Sequence, residues 1–358
     1  MYRLPIINAR LYASREKPLR LDNVGYDLYT FIMTKTRIFH ALVCLFVVVF
    51  AGCAQQQAYR LLDRAIAYEA NGDYDDALTA FQEAVDVCPQ DAVLHRWLGR
   101  AHLRRSQFDA AQTEFELALS LAPSYLVVYR DLAVVSEALE MPDAAISWLE
   151  QAVAKVPEHE DSQRDLVGLY LAHDHLSLAQ SLLDQVVAQR PEAAWAHFQL
   201  GGLYLALKWP ERAEASFARV LEIEPQNDES NLHVRAHSEL GNVYFERKEY
   251  EKAEEFYKKA LDLNPLDDSS MNNLAWVYAL RGVHLREGIR LSRRSLRLRP
   301  QAPSYMDTLA ELYYKLGNTA RAIQIIRQAI AQEPDDPVLR IHLQRQLAKF
   351  MSGGQGKV

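Results

Sequence analysis

Arginine recurs in this chain at a fixed interval. Arg96, Arg130 and Arg164 stand 34 residues apart, and Arg100 and Arg104 follow the first of them. A guanidinium is a planar fork that can hold a carboxylate through two hydrogen bonds, so such a ladder suits acidic groups on a partner. Asp131 and Asp165 lie 35 residues after Arg96 and Arg130, so Arg96–Asp131 and Arg130–Asp165 ion pairs within the fold are the other reading. Further along, Trp195, Phe198, Asn242, Phe245, Asn272, Trp276 and Tyr314 form an aromatic and amide-rich set, suited to an apolar or sugar-like segment of a ligand. A third cluster, "RGVHLREGIRLSRRSLRLR", carries seven arginines from Arg281 to Arg299 against one glutamate. It would serve either as a solvated basic face or as a seat for an anionic lipid or polysaccharide surface.

Catalytic chemistry has little to stand on. The chain holds no glycine-rich phosphate loop, no His-Glu-x-x-His and no nucleophile elbow. His173 and His175 flank Asp174, and His233 and His237 are four residues apart, but no third ligand converges on either pair, so neither a metal nor a cofactor is expected. With only Cys44, Cys53 and Cys88, a disulfide framework is excluded. A net charge of −7 argues against nucleic acid as the main partner. The expectation is a non-catalytic protein.

The elements that position these side chains follow a ruler. Prolines fall at Pro89, Pro123, Pro157, Pro191, Pro225, Pro265, Pro300 and Pro334, at intervals of 34, 34, 34, 34, 40, 35 and 34. With this proline as position 32 of each unit, position 20 is Ala77, Ala111, Ala145, Ala179, Ala213, Ala253, Gly288 and Ala322. Position 24 is mostly large and apolar (Phe81, Phe115, Leu149, Leu183, Phe217, Tyr257, Ile326), and position 11 is often tyrosine. Small residues at positions 8 and 20 let two helices approach closely, and proline, lacking an N–H, ends the second helix.

The pattern resembles the tetratricopeptide repeat family, whose unit is a 34-residue helix–turn–helix. The resemblance implies an all-α, right-handed superhelical solenoid of about eight repeats, 58–91, 92–125, 126–159, 160–193, 194–227, 234–267, 268–302 and 303–336, with a capping helix at 337–351 and a disordered tail at 352–358. It also implies that first helices line a concave groove for a protein or peptide ligand, with Arg96, Arg100, Arg130, Arg164, Trp195, Phe198, Asn242, Phe245, Asn272, Trp276 and Tyr314 facing it. Some family members clamp a peptide C-terminus between asparagines and cations. Asn242 and Asn273 match the asparagines, but Ser238, Ser304 and Thr308 occupy the cation positions, so that clamp is not expected. Residues 228–233 insert a polar loop, and Gly288 and Ser292 should make the seventh repeat the loosest.

Ahead of the array, Lys35 and Arg37 precede an apolar run from Ile38 to Phe50 and then "AGC". This resembles the lipobox of a bacterial lipoprotein signal, which implies cleavage of 33–52 and acylation of Cys53; an uncleaved anchor or an ordinary signal peptide is the other reading. Translation is expected to start at Met33, leaving 1–32 as an upstream artefact. Ala54 after the cysteine points to the outer membrane, facing the periplasm. The function expected is an envelope-anchored adaptor in exopolysaccharide export, pilus biogenesis or control of peptidoglycan enzymes; a soluble periplasmic adaptor or regulatory subunit is the alternative.

Overall fold

The computed structural model describes residues 52–224 and 230–353. The signal segment, the proposed start at Met33, Cys44, Pro225 and the last five residues lie outside them. The chain divides into two units at Pro157/Glu158. Among the described residues the first unit holds α1 (52–71), α2 (Tyr74–Val87), α3 (Ala92–Arg104), α4 (Phe108–Leu121), α5 (Leu126–Ala138) and α6 (Pro142–Lys155). The second holds α7 (Glu160–Ala172), α8 (Leu176–Gln189), α9 (Ala194–Ala206), α10 (Pro210–Glu222), α11 (Ser230–Glu246), α12 (Tyr250–Leu263), α13 (Asp268–Arg281), α14 (Leu285–Leu298), α15 (Pro303–Lys315), α16 (Thr319–Ile330) and α17 (Pro337–Gly353). Each unit is an all-α stack of antiparallel hairpins, a solenoid in which each hairpin packs on its sequence neighbours.

Within a hairpin the first helix ends on one left-handed residue. Gly72, Ser106, Glu140, Asp174, Lys208, Lys248 and Gly317 all have φ between 57° and 86°. The following N–H donates back to a carbonyl five residues earlier, as from Asn318 to Tyr313 (2.8 Å) and from Glu249 to Tyr244 (2.9 Å). That closes the orphan carbonyls of the helix end and turns the chain in two or three residues. The seventh hairpin has one extra residue here and correspondingly two left-handed positions, Gly282 and His284. Between hairpins, the carbonyl of the position-32 proline accepts from the side chain six residues later: His95 to Pro89 (3.0 Å), Tyr129 to Pro123 (3.2 Å) and His197 to Pro191 (2.9 Å). Met271 occupies that place after Pro265, and Arg294 of α14 supplies the donor instead, at 2.9 Å.

The core is made by size matching across each hairpin. A methyl added at Gly99, Gly201 or Gly241 would stand 2.7, 2.5 or 2.5 Å from the ring of Phe115, Phe217 or Tyr257. These rings are fully buried, and each contributes about 1.5–3 kcal/mol through removal from water. Where position 24 is Leu149 or Ile326, position 8 is Ala133 or Ala310, so a smaller partner meets a larger neighbour.

Three expectations are corrected. The seventh repeat is not loose: Gly288, Ser292 and Ser295 are buried, and a methyl on Gly288 would meet Leu312 at 2.8 Å, so the side chains lost from α14 are replaced by closer approach of α15. The 228–233 segment is not wholly a loop, since α11 starts at Ser230. The extra helical turn is held by Leu232 packing on the core and by the His233 ring, whose Nε2 lies 2.9 Å from the Ile223 carbonyl oxygen. The capping helix runs two residues further than expected, to Gly353, and it buries Leu343 and Phe350 against α15 and α16.

Candidate interaction site

The expected groove residues separate into two groups. In the first unit Arg96 Nε donates to Asp131 Oδ2 at 2.5 Å, with only 14% of either side chain exposed, so this fork is taken up inside the fold. Burial pushes the Asp131 carboxyl up, against the pull of Arg96, Arg100 and Arg130. Arg100 lies half-buried over the Trp97 ring, 5.1 Å from its centroid, and Arg130 is exposed on α5. In the second unit Arg164 bonds Glu160 one turn away and stands 4.9 Å from the Trp195 ring centroid.

Four of the expected groove residues do not present themselves to a ligand. Trp195 is 4% exposed among Val167, Leu183 and Leu200, and Phe198 is 7% exposed against Phe217 (5.4 Å between ring centroids) beneath Arg235. Both fill the junction between adjacent first helices, which only large rings at those positions would reach. Tyr314 is covered by the capping helix, 4.7 Å from Phe350, with Lys349 Nζ 5.3 Å from its centroid. Asn272 is buried, and its neighbour Asn273 takes the position assigned to it. One residue along a helix is a rotation of about 100°, enough to exchange groove for core.

The remaining three, Asn242, Phe245 and Trp276, converge. With Asn273, Tyr257 and Glu246 they line a cavity of about 210 Å³ between α11 and α13, floored from α12. Its geometry starts at Gly241. With no Cβ there, the Tyr257 ring lies against the α11 backbone, and its hydroxyl reaches Asn242 Oδ1 at 2.7 Å. Asn273 Nδ2 donates to the same oxygen at 3.0 Å, and Asn242 Nδ2 donates to Glu239 at 3.1 Å. Burial, reinforced by the Glu239 charge, pushes the Tyr257 phenol far above its ordinary value, so it remains a donor. Asn242 Oδ1 is thus saturated. Asn273 Nδ2 also faces the Tyr257 phenol oxygen, so what is left for a guest is one N–H of Asn242 and the Asn273 Oδ1. Phe245 and Trp276 are half-buried apolar flanks, and Glu246 is exposed at the rim. The set can bind an amide-bearing extended segment: a donor and an acceptor for its main chain, apolar walls for its side chains, a carboxylate for a nearby cation.

The amide–tyrosine network could be read in part. Asn242 and Asn273 are visible as an asparagine pair, but Tyr257 occupies a position whose aromatic character the repeat already explains, and only its bond to Asn242 gives it a second role. None of the cation positions of the peptide-terminus clamp carries a cation: Ser238 is buried and bonded by Ser270 at 3.1 Å, Thr308 is buried and donates to the Ser304 carbonyl, and Ser304 is an exposed neutral hydroxyl. Among the described residues no cluster of three or more histidines, cysteines or carboxylates is disposed to hold a metal ion, and no helix is long and apolar enough to cross a membrane.

Stacked helical hairpins with an amide-lined cavity between first helices define an interaction scaffold. Models of the tetratricopeptide repeat match residues 62–125 and 98–160, 137–199 and 171–232, 234–266, and 303–345, and the chain belongs to the tetratricopeptide repeat family. The matches leave the irregular seventh hairpin uncovered, although α13 and α14 form it as the others are formed. No curated protein matches the chain. Among solved structures it is similar to YrrB, described as a TPR protein with an unusual peptide-binding site (19% identity over 55% of this chain and 97% of that one, TM-score 0.43). It is also similar to the APC/C hetero-tetramer Cut9–Hcn1 (19%, 69% and 48%, 0.49) and to MamA (18%, 46% and 92%, 0.40).

Proposed function

We propose that this interaction scaffold holds an extended peptide segment of a partner protein between α11 and α13. The observation that carries the reading is the half-satisfied amide pair Asn242–Asn273 set between Phe245 and Trp276. At this half-exposed site the unused amide capacity is spent on water, which main-chain amides of an extended peptide replace independently of sequence. With neutral Ser238, Ser304 and Thr308 at the cation positions, an internal segment fits better than a free C-terminus. Peptides selected on the full chain should bind equally as free acids and as C-terminal amides, and should change the fluorescence of Trp276. Asn273→Ala and Trp276→Ala should each weaken binding at least tenfold with the helix content unchanged. Selected peptides that bind both variants as well as the parent chain would remove the pocket from the reading.

The scaffold is further proposed to work at the bacterial envelope, facing the periplasm as an outer-membrane lipoprotein, and to recruit its partner to an assembly machine there. The support is the lipobox-like "FAGC" and the exposure of Cys53 in the first turn of α1. Labelling with palmitate in a bacterial host should be lost in Cys53→Ala. Equal labelling of parent and variant, or none of either, would leave the soluble adaptor.

A further inference from the structure

The peptide reading leaves α14 unexplained. Arg286, Arg290, Arg293 and Arg297 recur at four, three and four residues, which places them within roughly 60° of one another on one helical face. The stripe lies opposite the buried Gly288, Ser292 and Ser295. All four are exposed, and among the described residues no carboxylate lies within ion-pair distance of any of them. The other arginines of the cluster are engaged: Arg281 with Glu251 and Glu254, Arg294 with the Pro265 carbonyl, Arg299 with Asp268. In a protein of net charge −7, which otherwise ties many of its cations to carboxylates, four unpaired arginines in a line of roughly 16 Å form an uncompensated field.

Apolar surface adjoins the stripe on both flanks. On one, Arg294 reaches the carbonyl beside Leu266, which is 65% exposed, and Leu298, 48% exposed, follows Arg294 by one turn. On the other, Arg293 and Arg321 border a cleft of about 180 Å³ walled by Leu296, Met306, Leu309 and Ile325. Charge beside aliphatic side chains suits an amphiphile. A polysaccharide or an acidic loop would use the arginines and leave the leucines and the cleft in water.

We propose that α14 docks this chain on an anionic phospholipid bilayer, with the arginine stripe on phosphate headgroups, Leu266 and Leu298 entering the acyl boundary, and Arg293 and Arg321 holding one lipid phosphate over the apolar cleft. The surface shares no residue with the peptide pocket or with the proposed lipid attachment at Cys53. The bound arginines release counterions, so the contact weakens with salt.

The test uses the full chain and flotation with two vesicle types, phosphatidylcholine alone and phosphatidylcholine mixed with phosphatidylglycerol. The first reports any tether; the increment given by phosphatidylglycerol reports α14. Each single arginine-to-glutamine change at 286, 290, 293 and 297 should lower that increment on the order of fivefold, and the four together should abolish it. Leu266→Ser with Leu298→Ser should lower it partly. Melting temperature and peptide affinity should stay at parent values, which separates this outcome from failure of the pocket. No increment in the parent chain, or an increment retained by the fourfold variant, would overturn the proposal. Displacement by soluble polygalacturonate combined with no effect of the leucine changes would assign the stripe to a polyanion and overturn the bilayer.

Discussion

The first unit and the second place polar side chains on their first helices, and they treat them oppositely. In the first, Arg96 and Asp131 meet at 2.5 Å, mostly buried, and consume each other. In the second, Asn242 and Asn273 meet at 3.0 Å and each keeps capacity beyond the bond between them. A charge taken out of water must find an opposite charge at once. An amide is neutral, tolerates partial satisfaction at a half-exposed site, and so can wait for a ligand. Charged ladders on a repeat surface therefore report first on the fold, and amide pairs report on what the fold can hold.

Breaking the first unit's pair should give the largest effect. Asp131→Ala leaves Arg96 mostly buried without its carboxylate and should lower stability by about 3 kcal/mol, measured by denaturant unfolding. Arg96→Met combined with Asp131→Leu should recover most of the loss. A decrease below about 0.5 kcal/mol for Asp131→Ala would mean that water already reaches the pair.

The second unit's pocket is tested next through its support. Gly241→Ala places a methyl 2.5 Å from the Tyr257 ring and should cost about 1–3 kcal/mol by overpacking. It should also shift the phenol from Asn242 and weaken peptide binding, whereas Gly99→Ala, with the same kind of clash at Phe115, should cost stability and leave binding alone. Equal binding losses from both would mean that the whole stack, rather than the Tyr257–Asn242 bond, sets affinity.

The smallest effect concerns an ionic contact of the second unit. Burial raises the Glu214 carboxyl, but bonds from Tyr244 and Arg247 outweigh it and hold the group below its ordinary 4.5. The partner Tyr244 phenol is pushed up to about 12, first by that bond and then by burial. A depressed carboxylate contributes stability that is full above 4.5 and is lost as pH falls through its folded value. Glu214→Gln should therefore flatten the acid limb of the stability curve by a fraction of a kcal/mol, as followed by melting between neutral pH and pH 3. An unchanged limb would place the acid sensitivity elsewhere.

Much of the architecture was present in the order of residues, because a repeat is a local device. Proline at position 32 ends a helix wherever it stands, and alanine at position 20 permits close approach whatever lies far away. The turns and the hairpins follow from contacts within about 34 residues. The expectations that failed were those decided by neighbours. Gly288 and Ser292 look like missing packing until Leu312 is seen against them. Trp195 and Phe198 look like ligand-binding rings until the adjacent helices close over them. Asn272 and Asn273 differ by one step of rotation that no local propensity sets. What the sequence alone determined was the hairpin and its period; what only the tertiary structure decided was which polar side chains are used up by the fold and which are left over. The reason is that satisfaction of a polar group depends on atoms supplied by other hairpins, and those distances exist only once the hairpins have stacked.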